Sequence, residues 1–295
     1  MILSTSILWI NTIAGGLTML TTKEQKDIRA LQAICEQEDK IELKLNWDLL
    51  EARAEKEQND FLYYEEHQLI GFLGIYGFGN KVELCGMVHP EKRKQGIFQS
   101  LLKQALEEMA KRKYETVLLN IPASSESGRR FVKHQPFEMA FSEYQMVWEK
   151  KELTANLDHV GLRHATKEEL PFFIQLDAEC FKMSRKEAAS MYENVTDIDG
   201  NLIIEAKGEP VGKLRWHQEG NESWIYGFAI KPEYQGQGIG RTALIQAVQQ
   251  EAEKGKDIYL EVVPENEHAL KLYQSCGFRS FSTQDYYQLV AARVK

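Results

Sequence analysis

An α/β chain of two tandem copies, each a mixed, mostly antiparallel sheet flanked by helices, is predicted by three observations. A long segment occurs twice, tight turns join the strand-like stretches of the better patterned copy, and a glycine-rich loop leads from a strand into a helix. His89-Pro90-Glu91-Lys92-Arg93-Lys94-Gln95-Gly96-Ile97-Phe98 recurs as Lys231-Pro232-Glu233-Tyr234-Gln235-Gly236-Gln237-Gly238-Ile239-Gly240, so Gly96 answers to Gly238, 142 positions on. Leu102, Gln104 and Ala105 keep that offset to Leu244, Gln246 and Ala247, and Phe131 to Phe137 echo Leu272 to Phe278 at 141. A period this long makes each copy a domain rather than one turn of a solenoid.

The polar run at 149–156 separates the copies, giving an N-terminal extension at 1–20, a first domain at 21–148, a linker at 149–156 and a second domain at 157–295. Residues 1–22 carry no charge but are broken by Ser4, Thr5, Ser6, Asn11, Thr12, Gly15, Gly16 and Thr18, which suits neither a signal peptide nor a membrane span. They read as a loosely held extension, with Met19 just ahead of a polar helical stretch.

Within the second copy, Val160 to Arg163 is a short strand, and Leu170, Phe173, Leu176 and Cys180 give helical periodicity to Lys167 through Met191. Leu202 to Ala206, Val211 to His217 and Trp224 to Ile230 are strands separated by Lys207-Gly208-Glu209-Pro210 and Glu219-Gly220-Asn221, short enough for antiparallel neighbours. The glycine loop then enters a helix with Ala243, Leu244, Ala247 and Val248 on one face, followed by a strand from Ile258 to Val263. A last helix begins at the capping residue Asn266 and ends at Gly277, and Phe278 to Val290 completes the sheet.

The composition, 43% hydrophobic and 27% charged over 295 residues, is that of a soluble globular protein long enough for two cores. Forty-four acidic against thirty-six basic residues give a net charge of -8, which disfavours a nucleic-acid partner. Cys35, Cys85, Cys180 and Cys276 form no CxxC pair and no zinc spacing, so reduced thiols, no metal and a cytoplasmic location are expected.

Glycines in a strand-to-helix loop let a ligand approach the backbone, and the free N–H groups of the helix start attract an anion. The pattern is no Walker A loop, since GxxxxGK[ST] is absent. A dinucleotide fingerprint counted from Gly236 fails at Arg241; counted from Gly238 it reaches Ala243, but antiparallel strands upstream contradict its βαβ setting. A simple tight turn explains one glycine, not three at alternate positions.

Gln-x-x-Gly-x-Gly at 235–240, followed by Leu260-Glu261-Val262, Asn266, Ala269, Leu272-Tyr273 and Cys276-Gly277-Phe278, resembles the GNAT superfamily of acetyl-CoA-dependent N-acyltransferases, particularly bacterial enzymes that acetylate protein N-termini. Through the repeat the resemblance extends, more weakly, to the first copy. It implies that Gln235, Gly236, Gln237, Gly238, Ile239, Gly240 and Arg241 hold the CoA pyrophosphate and that Phe228, Ala229 and Ile230 pair with the pantetheine arm. Asn266 would cap its helix and also touch the cofactor. A lysine-like amine with a pKa of ~10 must lose a proton before attack, and a thiolate with a pKa of ~8.5 leaves more readily when protonated. The resemblance gives these roles to Glu261 as base and Tyr273 as acid.

Each residue also has an ordinary reading. Tyr273 shares an apolar helix face with Ala269, Leu272 and Cys276, and Glu261 alternates with Leu260 and Val262 as a solvent-facing strand residue would. Trp224 and Tyr226 read as packing, His217 as a surface residue. The first copy departs from the pattern: Phe98 stands for Gly240, Val132 for Tyr273, Ser124 or Ser125 for Asn266, and Leu119 or Asn120 for Glu261. Phe98 is expected to crowd its loop. Arg93, Lys94 and Gly96 remain as phosphate ligands and Glu83 as a base, but a degenerate, structural or substrate-shaping domain is the expectation.

The function implied is acetyl transfer from acetyl-CoA to a primary amine, by direct attack in a ternary complex in the second domain, with no metal. A non-catalytic acyl-CoA sensor or scaffold is the alternative. The acceptor is an amine-bearing small molecule, such as a polyamine, an aminoglycoside or another metabolite, or a protein N-terminus. Phe172 to Met183 and Tyr286-Tyr287 are candidate acceptor segments, and no membrane partner is expected.

Overall fold

The computed structural model describes residues 19–51, 57–78, 80–112, 114–155, 157–181, 183–192, 198 and 200–290. Residues 1–18 of the expected extension and Asn156 of the linker lie outside them. The chain forms two compact units, Met1–Tyr76 with Val82–Val117 and Gly77–Lys81 with Leu118–Lys295.

In the first unit, α1 (Thr22–Asp39) starts at Thr21, whose hydroxyl accepts the Glu24 N–H while the Glu24 carboxylate takes the Thr21 N–H. Ile28, Leu31 and Cys35 form its buried face. After α2 (Trp47–Glu51) come β1 (Asp60–Glu65), β2 (Gln68–Phe78) and β3 (Lys81–Val88), in sheet order β1-β2-β3 with β1 antiparallel to β2. The helix α3 (Ile97–Met109) turns Ile97, Leu101, Leu102, Ala105 and Met109 inward.

The second unit takes in most of β4 (Thr116–Pro122), then α4 (Glu126–Val132), β5 (Phe137–Trp148), β6 (Val160–His164), α5 (Leu170–Cys180), α6 (Arg185–Ser190), β7 (Asn201–Ala206), β8 (Glu209–Glu219), β9 (Glu222–Ile230), α7 (Ile239–Glu253), β10 (Asp257–Val262), α8 (Glu267–Ser275) and β11 (Phe278–Leu289). Its strands run in the order β4-β11-β5-β10-β9-β8-β7-β6. The pairs β6/β7, β7/β8 and β8/β9 are antiparallel, as the short turns require, and β9/β10 are parallel. One core collects Leu202, Ile204, Leu214, Ile225, Leu244, Val248, Ile258, Leu260 and Phe278.

One expected element differs. The helix foreseen over Lys167 to Met191 is a short 3-10 turn at Lys167–Glu169, then α5, then a separate α6. Ser184 ends the continuity: its hydroxyl accepts the Glu187 N–H and Glu187 takes the Ser184 N–H, a capping box that starts a new helix.

The contact division does not follow the sequence repeat, because the two copies exchange their last strands. β5, from the first copy, pairs antiparallel with β10 of the second, while β11 pairs antiparallel with β4. The exchange is reciprocal at the residue level. Glu261 faces Gln145 across β10 and β5, and Asn120 faces Tyr286 across β4 and β11, each member shifted by 141 positions from its counterpart. The closures match too: the Glu149 N–H bonds to Gly277 O and the Val290 N–H to Pro136 O, both at 2.9 Å.

Candidate active site

The loop between β9 and α7 is shaped by its glycines. Gly236 and Gly238 adopt φ of 72° and 82°, the left-handed region that a side chain disfavours. Gln235 donates from Nε2 to Ile230 O at 2.8 Å and Gln237 from Nε2 to Glu233 O at 2.9 Å, so both glutamines brace the loop itself. Gly238 occupies the N-cap position with no side-chain cap, and the first helical bond runs from the Thr242 N–H to Gly238 O at 3.0 Å. The preceding N–H groups of Ile239, Gly240 and Arg241 have no intrahelical acceptor. A Cβ on Gly236 would meet nothing within 4 Å. Together these make an open, positively polarised cradle suited to a pyrophosphate.

The Arg241 guanidinium turns to the end of α8, where Nη1 donates to Ser275 Oγ and Nη2 donates to Ser275 O at 3.4 Å. Asn266 caps α8, its side chain accepting the Ala269 N–H at 3.2 Å.

Where a Cβ on Gly240 would sit, Phe228 Cζ is 3.6 Å away, Ile230 Cγ1 3.4 Å and Leu272 Cδ2 4.0 Å, so the loop, β9 and α8 converge. Tyr273, next to Leu272, places its ring 6.4 Å from Phe228 and 6.1 Å from Phe278. It is buried, as its apolar helix face foretold, and its hydroxyl makes no hydrogen bond among the described residues. Burial raises its pKa well above the ordinary tyrosine value, so the phenol keeps its proton at neutral pH.

The parallel ladder of β9 with β10 covers Glu222–Ile225 against Asp257–Leu260 and stops. Beyond it β9 bulges at Gly227, with φ of 58°, and continues through Phe228, Ala229 and Ile230. Glu261 is the first residue of β10 past this parting. It is half-buried and its Oε1 accepts from Gln145 Nε2 at 3.1 Å. On the same sheet face Trp224 stacks on Tyr259 at 4.9 Å and on Tyr226 at 6.3 Å, while His217 lies 6.4 Å from Tyr226.

Sequence reasoning missed a buried ionic cluster beside the bulge. Lys213 Nζ lies 2.6 Å from Asp177 and donates to the Tyr192 hydroxyl at 2.7 Å, and that hydroxyl donates to Asp177 Oδ2 at 2.6 Å. Burial lowers the Lys213 pKa, against the attraction of Asp177. A lysine inside the apolar run Val211-Gly212-Lys213-Leu214 was its sequence signal.

The first copy keeps the loop and changes its surroundings. Lys94 and Gly96 have φ of 62° and 81°, and Arg93 Nε bonds to Val88 O at 3.1 Å as Gln235 does to Ile230 O. Arg93 is also tied to Asp39 at 2.8 Å. Phe98 does not crowd this loop: its ring reaches Gly86 on β3, and a Cβ on Gly96 would meet nothing within 4 Å. The ladders and caps settle both sequence ambiguities. Asn120 takes the position of Glu261, and Ser125, accepting the Gly128 N–H at 3.1 Å, takes that of Asn266. Tyr286, expected near the acceptor, is fully buried with its hydroxyl on Glu143.

The model of the acetyltransferase (GNAT) family matches residues 25–135 and again 167–278, once in each copy. The chain belongs to the GNAT family. Its fold is accordingly two GNAT-like α/β domains in tandem, and the family's chemistry is acetyl-CoA-dependent transfer of an acyl group to an amine. Among curated relatives, the spermine/spermidine N(1)-acetyltransferase of Bacillus subtilis (strain 168) is 40% identical over 65 residues, 21% of this chain and 43% of that protein. N-alpha-acetyltransferase RimI of Mycobacterium tuberculosis is 36% identical over 67 residues, 23% of this chain and 41% of that one. The chain thus spans less than half the length of either relative. A GCN5-related N-acetyltransferase from Sphaerobacter thermophilus shares the fold with a TM-score of 0.72 and 18% identity, over 89% of this chain and 91% of that one.

Among the described residues no group of three or more His, Cys, Asp or Glu is placed to hold a metal, and no helix is long and apolar enough to cross a membrane.

Proposed function

We propose that the second copy is the working acetyltransferase and that it acetylates a primary amine by direct attack. The pairing of Tyr273 with the free run of β9 carries this reading: a phenol kept protonated by burial packs on Phe228, beside the strand edge left open where β10 parts. The first copy has Val132 and Asn120 where the second has Tyr273 and Glu261, so it lacks the counterparts of both proposed proton carriers.

In this mechanism the α7 amides and the loop hold the pyrophosphate of acetyl-CoA, and Phe228, Ala229 and Ile230 offer backbone groups to the pantetheine. Asn266, capping α8, adds a cofactor contact. Glu261 takes a proton from the acceptor ammonium. The neutral nitrogen attacks the acetyl carbonyl, the C–S bond breaks as Tyr273 protonates the departing sulfur so that CoA leaves as the thiol, and the second proton lost by the nitrogen as it becomes the amide returns to the Tyr273 phenolate.

The acceptor proposed is a small polyamine or a protein N-terminus, in keeping with relatives named for spermine and spermidine and for an alanine of ribosomal protein bS18. Thiol release from acetyl-CoA, measured with spermine, spermidine and an alanine-initiated peptide and checked by the mass of the product, tests the reading. Turnover with at least one amine is expected. Acetyl-CoA binding without amine-dependent thiol release would favour the sensor.

A further inference from the structure

Two glutamines are buried in the exchanged sheet, Gln145 on β5 at 6% exposure and Gln284 on β11 at 0%. Burying an amide costs free energy unless its polar atoms are bonded, so the destination of their bonds matters. Gln284 Nε2 donates to Gln145 Oε1 at 3.2 Å, and Gln145 Nε2 donates to Glu261 Oε1 at 3.1 Å. The bond accepted by Oε1 fixes the Gln145 amide so that its N–H₂ faces the carboxylate. The chain of bonds reaches the residue proposed as base. Gln145 lies within the first copy's sequence and reaches Glu261 only because β5 has crossed into the ladder beside β10.

From this we infer that Gln145 is a positioning residue for acetyl transfer in the second copy, so that the first copy supplies a working part of the other's site. The inference rests on Glu261 as the base. By donating to Oε1, Gln145 holds the carboxylate in one orientation. Gln284 in turn holds Gln145. In the first copy the matching positions carry Asn120 and Tyr286, neither a carboxylate at neutral pH.

Among the described residues this sheet face also carries Glu143 on β5, Arg279 and Tyr286 on β11, Asp257 and Tyr259 on β10, Glu222 and Tyr226 on β9, and Lys213, Arg215 and His217 on β8. Glu143 receives the Tyr286 hydroxyl at 2.8 Å and Arg215 lies over Tyr226 at 5.7 Å. Gln145→Leu removes none of these groups.

The test is steady-state kinetics with spermine and with an alanine-initiated peptide for the full chain and its Gln145→Leu, Gln145→Asn and Glu261→Gln variants, with acetyl-CoA calorimetry and circular dichroism as the folding check. Losing the donor should lower kcat by roughly ten- to a hundredfold, the cost of a misplaced group. Acetyl-CoA affinity should stay within about twofold. Gln145→Asn, too short to reach but still polar, should show the same loss if the leucine variant does not fold. Added to Glu261→Gln, Gln145→Leu should have no further effect, because no carboxylate is left to position. Unchanged kcat in folded Gln145 variants, with kcat lost in Glu261→Gln, would overturn the inference alone. Full kcat in Glu261→Gln would overturn the assigned base and the inference with it.

Discussion

Phe98 points its ring at Gly86: Cε2 lies 3.1 Å from the place a Cβ on that glycine would take. In the second copy the sizes are reversed, with Phe228 on the strand and Gly240 on the helix, each shifted by 142 positions from its counterpart. One aromatic ring fills the strand-to-helix junction in both copies, supplied from opposite sides. Phe98 is therefore a packing partner of Gly86, and the copies differ as well at the two proposed proton carriers, Tyr273 and Glu261, where the first has Val132 and Asn120.

Gly240→Phe alone should destabilise the protein by about 1–3 kcal/mol, because the added ring must share the space held by Phe228, Ile230 and Leu272. Adding Phe228→Gly restores the arrangement of the first copy and should recover part of that loss. Denaturant melts of the two single variants and the double variant measure the coupling. Additive effects would show that the two sites do not compete for the same space.

Tyr273→Phe should keep the packing on Phe228 and Phe278 and lower kcat by about 10²–10⁴, with acetyl-CoA affinity nearly unchanged. Because burial raises the phenol pKa above its ordinary value, rising pH removes its proton only beyond the usual tyrosine range. The wild-type kcat should thus hold level through about pH 10, the ordinary tyrosine value. Stopped-flow thiol release across pH checks both points. Equal turnover in the phenylalanine variant would return Tyr273 to packing alone.

Much of the second copy was legible because its signals are local. Short turns gave the antiparallel order of β7, β8 and β9, Asn266 and Gly277 bracketed α8, and the repeat located the loop. The strand exchange was not legible, since the alternation along β5 and β11 says which face is buried but not which strand lies beside it. For the same reason the Gln145–Glu261 bond, which joins residues 116 apart, had no sequence signal. The break between α5 and α6 did have one, the Ser184 to Glu187 capping box, outweighed by apolar periodicity.

The Lys213–Asp177 pair predicts a stability effect. Asp177→Asn leaves a buried ammonium without its counter-charge and should cost about 3–5 kcal/mol. Replacing both residues, Lys213→Met with Asp177→Leu, should restore much of it. Thermal melts of the single and double variants check this; a single variant as stable as wild type would mean that the ammonium finds water or loses its proton cheaply.

The central claim is that the second copy binds acetyl-CoA for the reaction, and its most direct measurement compares Gly238→Asp with Gly96→Asp. Both substitutions place a carboxylate in a left-handed N-cap position, where a Cβ on Gly238 comes no closer than 3.5 Å to Leu157 and one on Gly96 touches nothing within 4 Å. Each charge should repel a pyrophosphate from its own helix start. Amine-dependent thiol release and acetyl-CoA calorimetry should show turnover and its associated binding lost in Gly238→Asp and kept in Gly96→Asp. Turnover lost in Gly96→Asp and kept in Gly238→Asp would contradict the account and assign the reaction to the first copy.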